Sequence, residues 1–205
     1  MFGPGIVLRR TSIMVLHYGG KYKSEDDLKR KGIEHEYAIP FREPDQTVFA
    51  VIANAGCVLF IILLIAGIWF LAEPDLKTLA IQMGIAAFIS MALLIPHEVL
   101  HALCFKKDVY LYYNPSTMLV FVYGTESMSK SRFIFMSLFP NIVFGFLPYL
   151  MFIVHPEWVL CGLVGAFCIG MGFGDYINAM NAAAQMPKGA RTYLYGFHSF
   201  WYMET

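Results

Sequence analysis

Residues 76–105 read LKTLAIQMGIAAFISMALLIPHEVLHALCF. Apart from Lys77 near the start, every charged or imidazole side chain in them falls within His97-Glu98-Val99-Leu100-His101. A bilayer core of about 30 Å takes about 20 helical residues at a rise of about 1.5 Å each. The block is therefore predicted to be a membrane-crossing helix that carries a polar cluster inside the apolar layer, near one end. The flanking sequence extends that reading. Residues 47–72, 133–154 and 158–184 form three more apolar blocks long enough to span. Only Glu73-Pro74-Asp75 separates the first block from the second, and only His155-Pro156-Glu157 the third from the fourth, which predicts two helical hairpins. Over the 205 residues, 58% are hydrophobic and 15% charged, against about 45–50% and about 25% in ordinary soluble domains.

The expected architecture is an all-α membrane protein of four transmembrane helices with a small β-hairpin between the second and third. A cytoplasmic N-terminal segment covers 1–46, the transmembrane core 47–184 and a cytoplasmic tail 185–205. Orientation comes from the cations: of the fifteen Lys and Arg residues, all but Lys77 fall before the first span, between the second and third, or after the fourth. The positive-inside rule then places both termini and the middle loop in the cytoplasm. Residues 1–20 do not have the form of a secretory signal, because Arg9 and Arg10 interrupt them and no sufficient apolar core follows. Ser24 followed by Glu25, Asp26 and Asp27, with Lys29 to Lys31 before Gly32, predicts a short polar helix over 24–31. In the middle loop, 109–113 and 118–123 are rich in Val, Tyr and Phe around Asn114-Pro115-Ser116-Thr117, the pattern of a β-hairpin. Cys57, Cys104, Cys161 and Cys168 lie in or beside apolar blocks without a C-x-x-C pair and read as reduced packing residues. The formal net charge is zero, so no basic field calls for a nucleic-acid partner. The lipid bilayer itself is the expected surrounding.

The polar cluster has a chemistry of its own. His97 and His101 are four residues apart, so their imidazoles share one helix face and are near enough to share one metal. Glu98 stands beside that face as a general base that does not bind the metal, which is the physical content of H-E-x-x-H. An ionised carboxylate near the middle of a membrane helix costs on the order of 2.5–3.5 kcal/mol. Apparent binding free energies of about 10–16 kcal/mol at structural zinc sites are ample to offset it. Zn2+ is accordingly the expected cofactor. A catalytic zinc usually takes three protein ligands, and the one other acid within a span is Asp175. Counted from the predicted cytoplasmic ends of their helices, His101, His97 and Asp175 lie at similar depth.

Secondary roles follow from spacing. Asn178, one turn beyond Asp175, is placed to orient that carboxylate or a bound substrate, and Asn141 in Phe139-Pro140-Asn141 is a further supporting or substrate-binding candidate. Gly170, Gly172 and Gly174 remove side chains just ahead of Asp175 and favour close helix approach. Pro96, directly before His97, is expected to kink its helix. Glu126 and His198 stand as substitute third ligands should the loop or tail fold inward.

At His97–His101 and Asp175 the sequence resembles the site-2-protease-like intramembrane zinc metalloproteases, and in particular the small zincin peptidases related to them. The resemblance runs over about residues 76–190. It implies His97 and His101 as the paired histidine ligands, Glu98 as the catalytic glutamate and Asp175 as the aspartate ligand. The usual Asp-Gly order appears here as Gly174-Asp175, and no PDZ-like insertion is present. The implied activity is zinc-dependent hydrolysis of peptide bonds in membrane-protein or peptide substrates near the cytoplasmic face, and small size with this kinship suggests a prokaryotic plasma membrane. The competing reading is a non-catalytic membrane metal-binding protein: a structural zinc, a metal sensor or a transporter.

Overall fold

A computed structural model describes residues 14–29, 35–116, 119–196 and 198–204 of the chain. Arg9 and Arg10, like Arg30 and Lys31 at the end of the predicted polar helix, lie outside the described residues.

Helix starts and stops follow local chemistry. The Asp45 carboxylate accepts from the backbone N–H of Thr47 and Val48 at 2.9 and 3.0 Å and begins α1 (Gln46–Ala72). Glu73 ends it in the left-handed region at φ 44°, ahead of Pro74. Asp75 then accepts from Thr78 N–H at 2.9 Å to begin α2 (Leu76–Ala92). A turn at Leu93 leads into α3 (Leu94–Leu103), so the span that carries His97 is interrupted where Pro96 has no N–H for the Ala92 carbonyl and its ring crowds it. Ser129 caps α4 (Lys130–Asn141), which widens after Pro140 into a π-helical turn over Ile142–Phe146 and continues as α5 (Leu147–Val154). The block over 158–184, predicted as the fourth span, is two helices, α6 (Val159–Met171) and α7 (Phe173–Gln185), bent by 52° about Gly172.

Three helical runs, Thr47–Ala72, Leu76–Leu103 and Lys130–Val154, are long and apolar enough to cross a membrane, and the bent pair supplies a fourth if it counts as one span. Only 6% of the most apolar stretch of α1 is covered by protein, and Phe70 and Phe88 are 79% and 77% exposed. Apolar surface on that scale is what lipid covers. α6 is the central helix, packed on by α1, α2 and α5. Its Gly165 lets α5 approach closely: a Cβ there would lie 2.6 Å from Tyr149 N.

The body is not all-α. The predicted hairpin is present as β3 (Val109–Asn114) against β4 (Leu119–Tyr123), but β1 (Leu16–Lys21) joins it in parallel, with Leu16 beside Val109. A second sheet runs β2 (Ile39–Pro40), β7 (His198–Met203), β6 (Ala190–Tyr195), β5 (Met128–Ser129), so the aromatic tail is a hairpin built into a sheet. β1, β2 and β5 are short or pair across long stretches of chain with no turn signal to mark it, whereas β6 and β7 form a local hairpin with Gly196, at φ 58°, in its turn. The polar helix expected over 24–31 is one 3-10 turn, Glu25–Asp27. Leu28 leaves it in extended conformation and buries against Tyr112 and Tyr123. Both sheets adjoin the C-terminal ends of α3 and α7 and the N-terminal end of α4, the side that carries most of the Lys and Arg residues.

Candidate metal centre

The break at Gly172 puts Asp175 in the first turn of α7, where the helix N-terminus favours a carboxylate. From there it meets α3. His97 Nε2 lies 3.1 Å from Asp175 Oδ2, His101 Nε2 lies 3.4 Å from Asp175 Oδ1, and the two Nε2 atoms are 3.1 Å apart. Two imidazoles and one carboxylate, separated by 78 and 74 residues of chain, thus converge on one point among apolar helices.

Neighbouring groups aim these atoms. His101 Nδ1–H donates to the Met136 carbonyl at 2.8 Å. A carbonyl only accepts, so neutral His101 keeps its proton on Nδ1 and turns the Nε2 lone pair toward His97 and Asp175. Asn141 Nδ2 donates to Asp175 Oδ2 at 2.8 Å, and Tyr176 donates its hydroxyl to Asn141 Oδ1 at 3.4 Å. The result is a cluster of two imidazole nitrogens and a carboxylate that a cation, or a proton on His97 Nε2, would satisfy. At zinc–ligand bonds of about 2.0–2.1 Å, the corners of a tetrahedron stand about 3.3–3.4 Å apart. The observed 3.1–3.4 Å separations suit three ligands of that kind.

α4 supplies none of the three converging groups but braces both helices that do. Lys130 Nζ donates to the Ala183 and Met186 carbonyls, each at 2.7 Å, and so closes the C-terminal end of α7. Arg132 Nε donates to the Cys104 carbonyl at 2.9 Å and closes α3. Arg132 also pairs with Glu126, which accepts from the N–H groups of Lys106 and Lys107 at 2.6 and 2.9 Å. Burial alone would raise the Glu126 pKa, but the Arg132 guanidinium and those two N–H groups hold it below the ordinary range.

Glu98 lies with the histidines in a group whose ligand-type atoms fall within 4.8 Å of one another. Its Oε2 accepts from the backbone N–H of Val122 at 2.8 Å. β4 pairs with β3 along its other edge, so among the described residues no strand pairs with the edge that faces Glu98, and Val120 presents its backbone the same way. A cavity of about 140 Å³ adjoins the site, reaching from Glu98, Asp175 and Val120 past Leu94 and Phe144 to Ser90 and Cys168. An engineered apolar cavity of about 150 Å³ admits benzene, so there is room for one apolar side chain beside the polar groups.

Gly172 protects this geometry. Its φ of −77° suits any residue, but a Cβ would stand 1.5 Å from Asn141 Oδ1. Gly172→Ala must therefore push Asn141 off Asp175. We expect zinc affinity to fall by about 10–100-fold, the usual cost of losing a group that orients a ligand. Competition with a chromogenic chelator measures it, and unchanged affinity would show that Asn141 does not set the carboxylate.

Of the residues singled out from sequence, His97, His101, Asp175, Glu98 and Asn141 meet at this point. The Asn178 side chain makes no hydrogen bond among the described residues; the contact to Asp175 comes from Asn141 on another helix. Glu126 is committed to Arg132, and His198 sits opposite Tyr195 at the start of β7. All four cysteines are free. Spacing along the chain does not reveal the Val122 N–H, Ser90 or the braces Lys130 and Arg132. The Met136 carbonyl carries one local signal, a proline four residues later.

Residues 90–191 match the model of a family described as "Putative zincin peptidase". The matched stretch, almost half of the chain, runs from Ser90 in the cavity wall to Arg191 in β6 and contains every residue named at the metal centre and its braces, while Tyr195 and His198 of the tail hairpin and Cys57 lie outside it. No curated protein and no solved structure matches significantly. The chain is thus similar to zincin-type metallopeptidases, enzymes that work with zinc.

Proposed function

We propose that the chain is an intramembrane zinc peptidase of the site-2-protease-like kind, which hydrolyses peptide bonds of membrane-protein substrates near the cytoplasmic face. The observation that carries this is the convergence of His97 Nε2, His101 Nε2 and the Asp175 carboxylate within 3.1–3.4 Å, with Glu98 alongside, in helices apolar enough to span. Zinc held there would supply a Lewis acid, making a water nucleophilic near neutral pH and polarising a peptide carbonyl. His97, His101 and Asp175 would bind it, and the Met136 carbonyl and Asn141 keep their donor atoms aimed. Glu98 takes the proton of the attacking water on its carboxylate and passes it to the leaving amide nitrogen as the C–N bond breaks. The apolar cavity seats a neighbouring substrate side chain. A transmembrane substrate must unwind before its carbonyls are reachable, and the open edge of β4 offers an unwound stretch a strand to pair with.

A closed structural zinc would want four protein ligands; the bond from Val122 N–H draws Glu98 away from that role, which favours the catalytic reading. The cation distribution supports cytoplasmic termini, and a prokaryotic plasma membrane is the setting we assign. The test is the metal itself. The chain purified in mild detergent without chelator should hold close to one zinc, and cleavage of a transmembrane substrate should stop on zinc removal and return on its addition. Well-folded protein that takes up no zinc would end the proposal.

A further inference from the structure

Pro140 stands at the next-to-last position of α4, fully inside protein, in a helical run that continues for fourteen residues beyond it to Val154. In a regular helix the N–H of residue 140 would bond the carbonyl of residue 136. Proline has no N–H and its ring crowds that carbonyl, at a cost of about 3 kcal/mol in a helix interior. Within an apolar layer a backbone carbonyl left without a donor costs several kcal/mol more. The chain therefore has to bring a donor from elsewhere. The donor it brings is His101 Nδ1–H, 2.8 Å from the Met136 carbonyl.

We infer that Pro140 is a positioning residue of the metal site, freeing the Met136 carbonyl so that it holds His101 with its Nε2 lone pair on the metal position. An alanine at 140 would restore a helical donor and put it in competition with the imidazole. The next residue serves the other ligand helix: Asn141, brought inward where the helix widens, donates to Asp175 at 2.8 Å. One helix break thus orients a ligand on α3 and a ligand on α7. Pro96 works differently, since it lies in the ligand helix itself and coincides with the turn at Leu93.

The inference rests on the zinc reading above, and two measurements on full-length protein in detergent separate them. In the zinc-free chain with ¹⁵N-labelled histidine, the His101 resonances should report the Nδ1–H tautomer. Pro140→Ala should shift that population toward Nε2–H and weaken zinc binding by about 10–100-fold. Pro148→Ala, at the start of α5, should do neither. His101 in the Nε2–H tautomer in the unsubstituted chain, or a Pro140→Ala chain with unchanged tautomer and zinc affinity, would overturn the role of Pro140. Absence of zinc binding by the unsubstituted chain would instead overturn the peptidase reading, while the tautomer measurement still decides the positioning one.

Discussion

Glu98→Gln should leave zinc content near one per chain while peptide hydrolysis falls by about 10²–10⁴-fold, the range that a general base contributes. Glutamine keeps the length of the side chain and an oxygen to accept from Val122 N–H, so the 2.8 Å contact between α3 and β4 has a substitute. What it loses is the carboxylate that takes the water's proton. The loss should fall on kcat and leave substrate binding largely intact, since nothing in the cavity walls changes. Metal analysis and a cleavage assay on the same preparation read both halves. If Glu98→Gln lost zinc as completely as His97→Ala, Glu98 would be a ligand and the catalytic assignment would be wrong.

Asp175→Ala is the reciprocal case. Zinc affinity should fall beyond the roughly 10–100-fold that follows loss of a group that merely orients a ligand, and hydrolysis should disappear with the metal. Distances to the histidines are what favour Asp175 over Glu98 as the expected ligand. Asp175 oxygens stand 3.1 and 3.4 Å from the two Nε2 atoms, whereas Glu98 belongs to a looser group spread over 4.8 Å. Zinc retained in Asp175→Ala but lost in Glu98→Gln would invert the roles. Retention in both single variants would show that Asp175 is not required, and loss of zinc only in the double variant would mean that either acid can complete the site. Comparing unfolding of the zinc-free variants with that of the parent separates loss of a ligand from loss of the fold.

Both expectations draw on what local sequence shows and on what it leaves open. The apolar blocks declare four helical runs because the length needed to cross a bilayer is a property of the chain alone, and caps such as Asp45 and Asp75 act within three residues. The pairing of His97 with His101 is equally local, a consequence of the helical repeat. Asp175 stood out because an acid inside an apolar run is expensive and so conspicuous. Asn178 looked like its support on the same periodic grounds. The hydrogen bond to Asp175 comes instead from Asn141, which enters through the gap that a missing Cβ at Gly172 leaves.

Local sequence was enough to mark the apolar helical blocks and a histidine pair with a glutamate on one helix. All of these rest on interactions within a few residues. Packing of the whole chain was needed to bring strands from its two ends into the two sheets, Val122 to Glu98, and the Met136 carbonyl and Asn141 to His101 and Asp175. Those contacts join residues 24 to 35 positions apart, and in the sheets far more. A backbone N–H or carbonyl carries no residue-specific mark, so which one becomes free, and what it then meets, is settled by where helices break and pack.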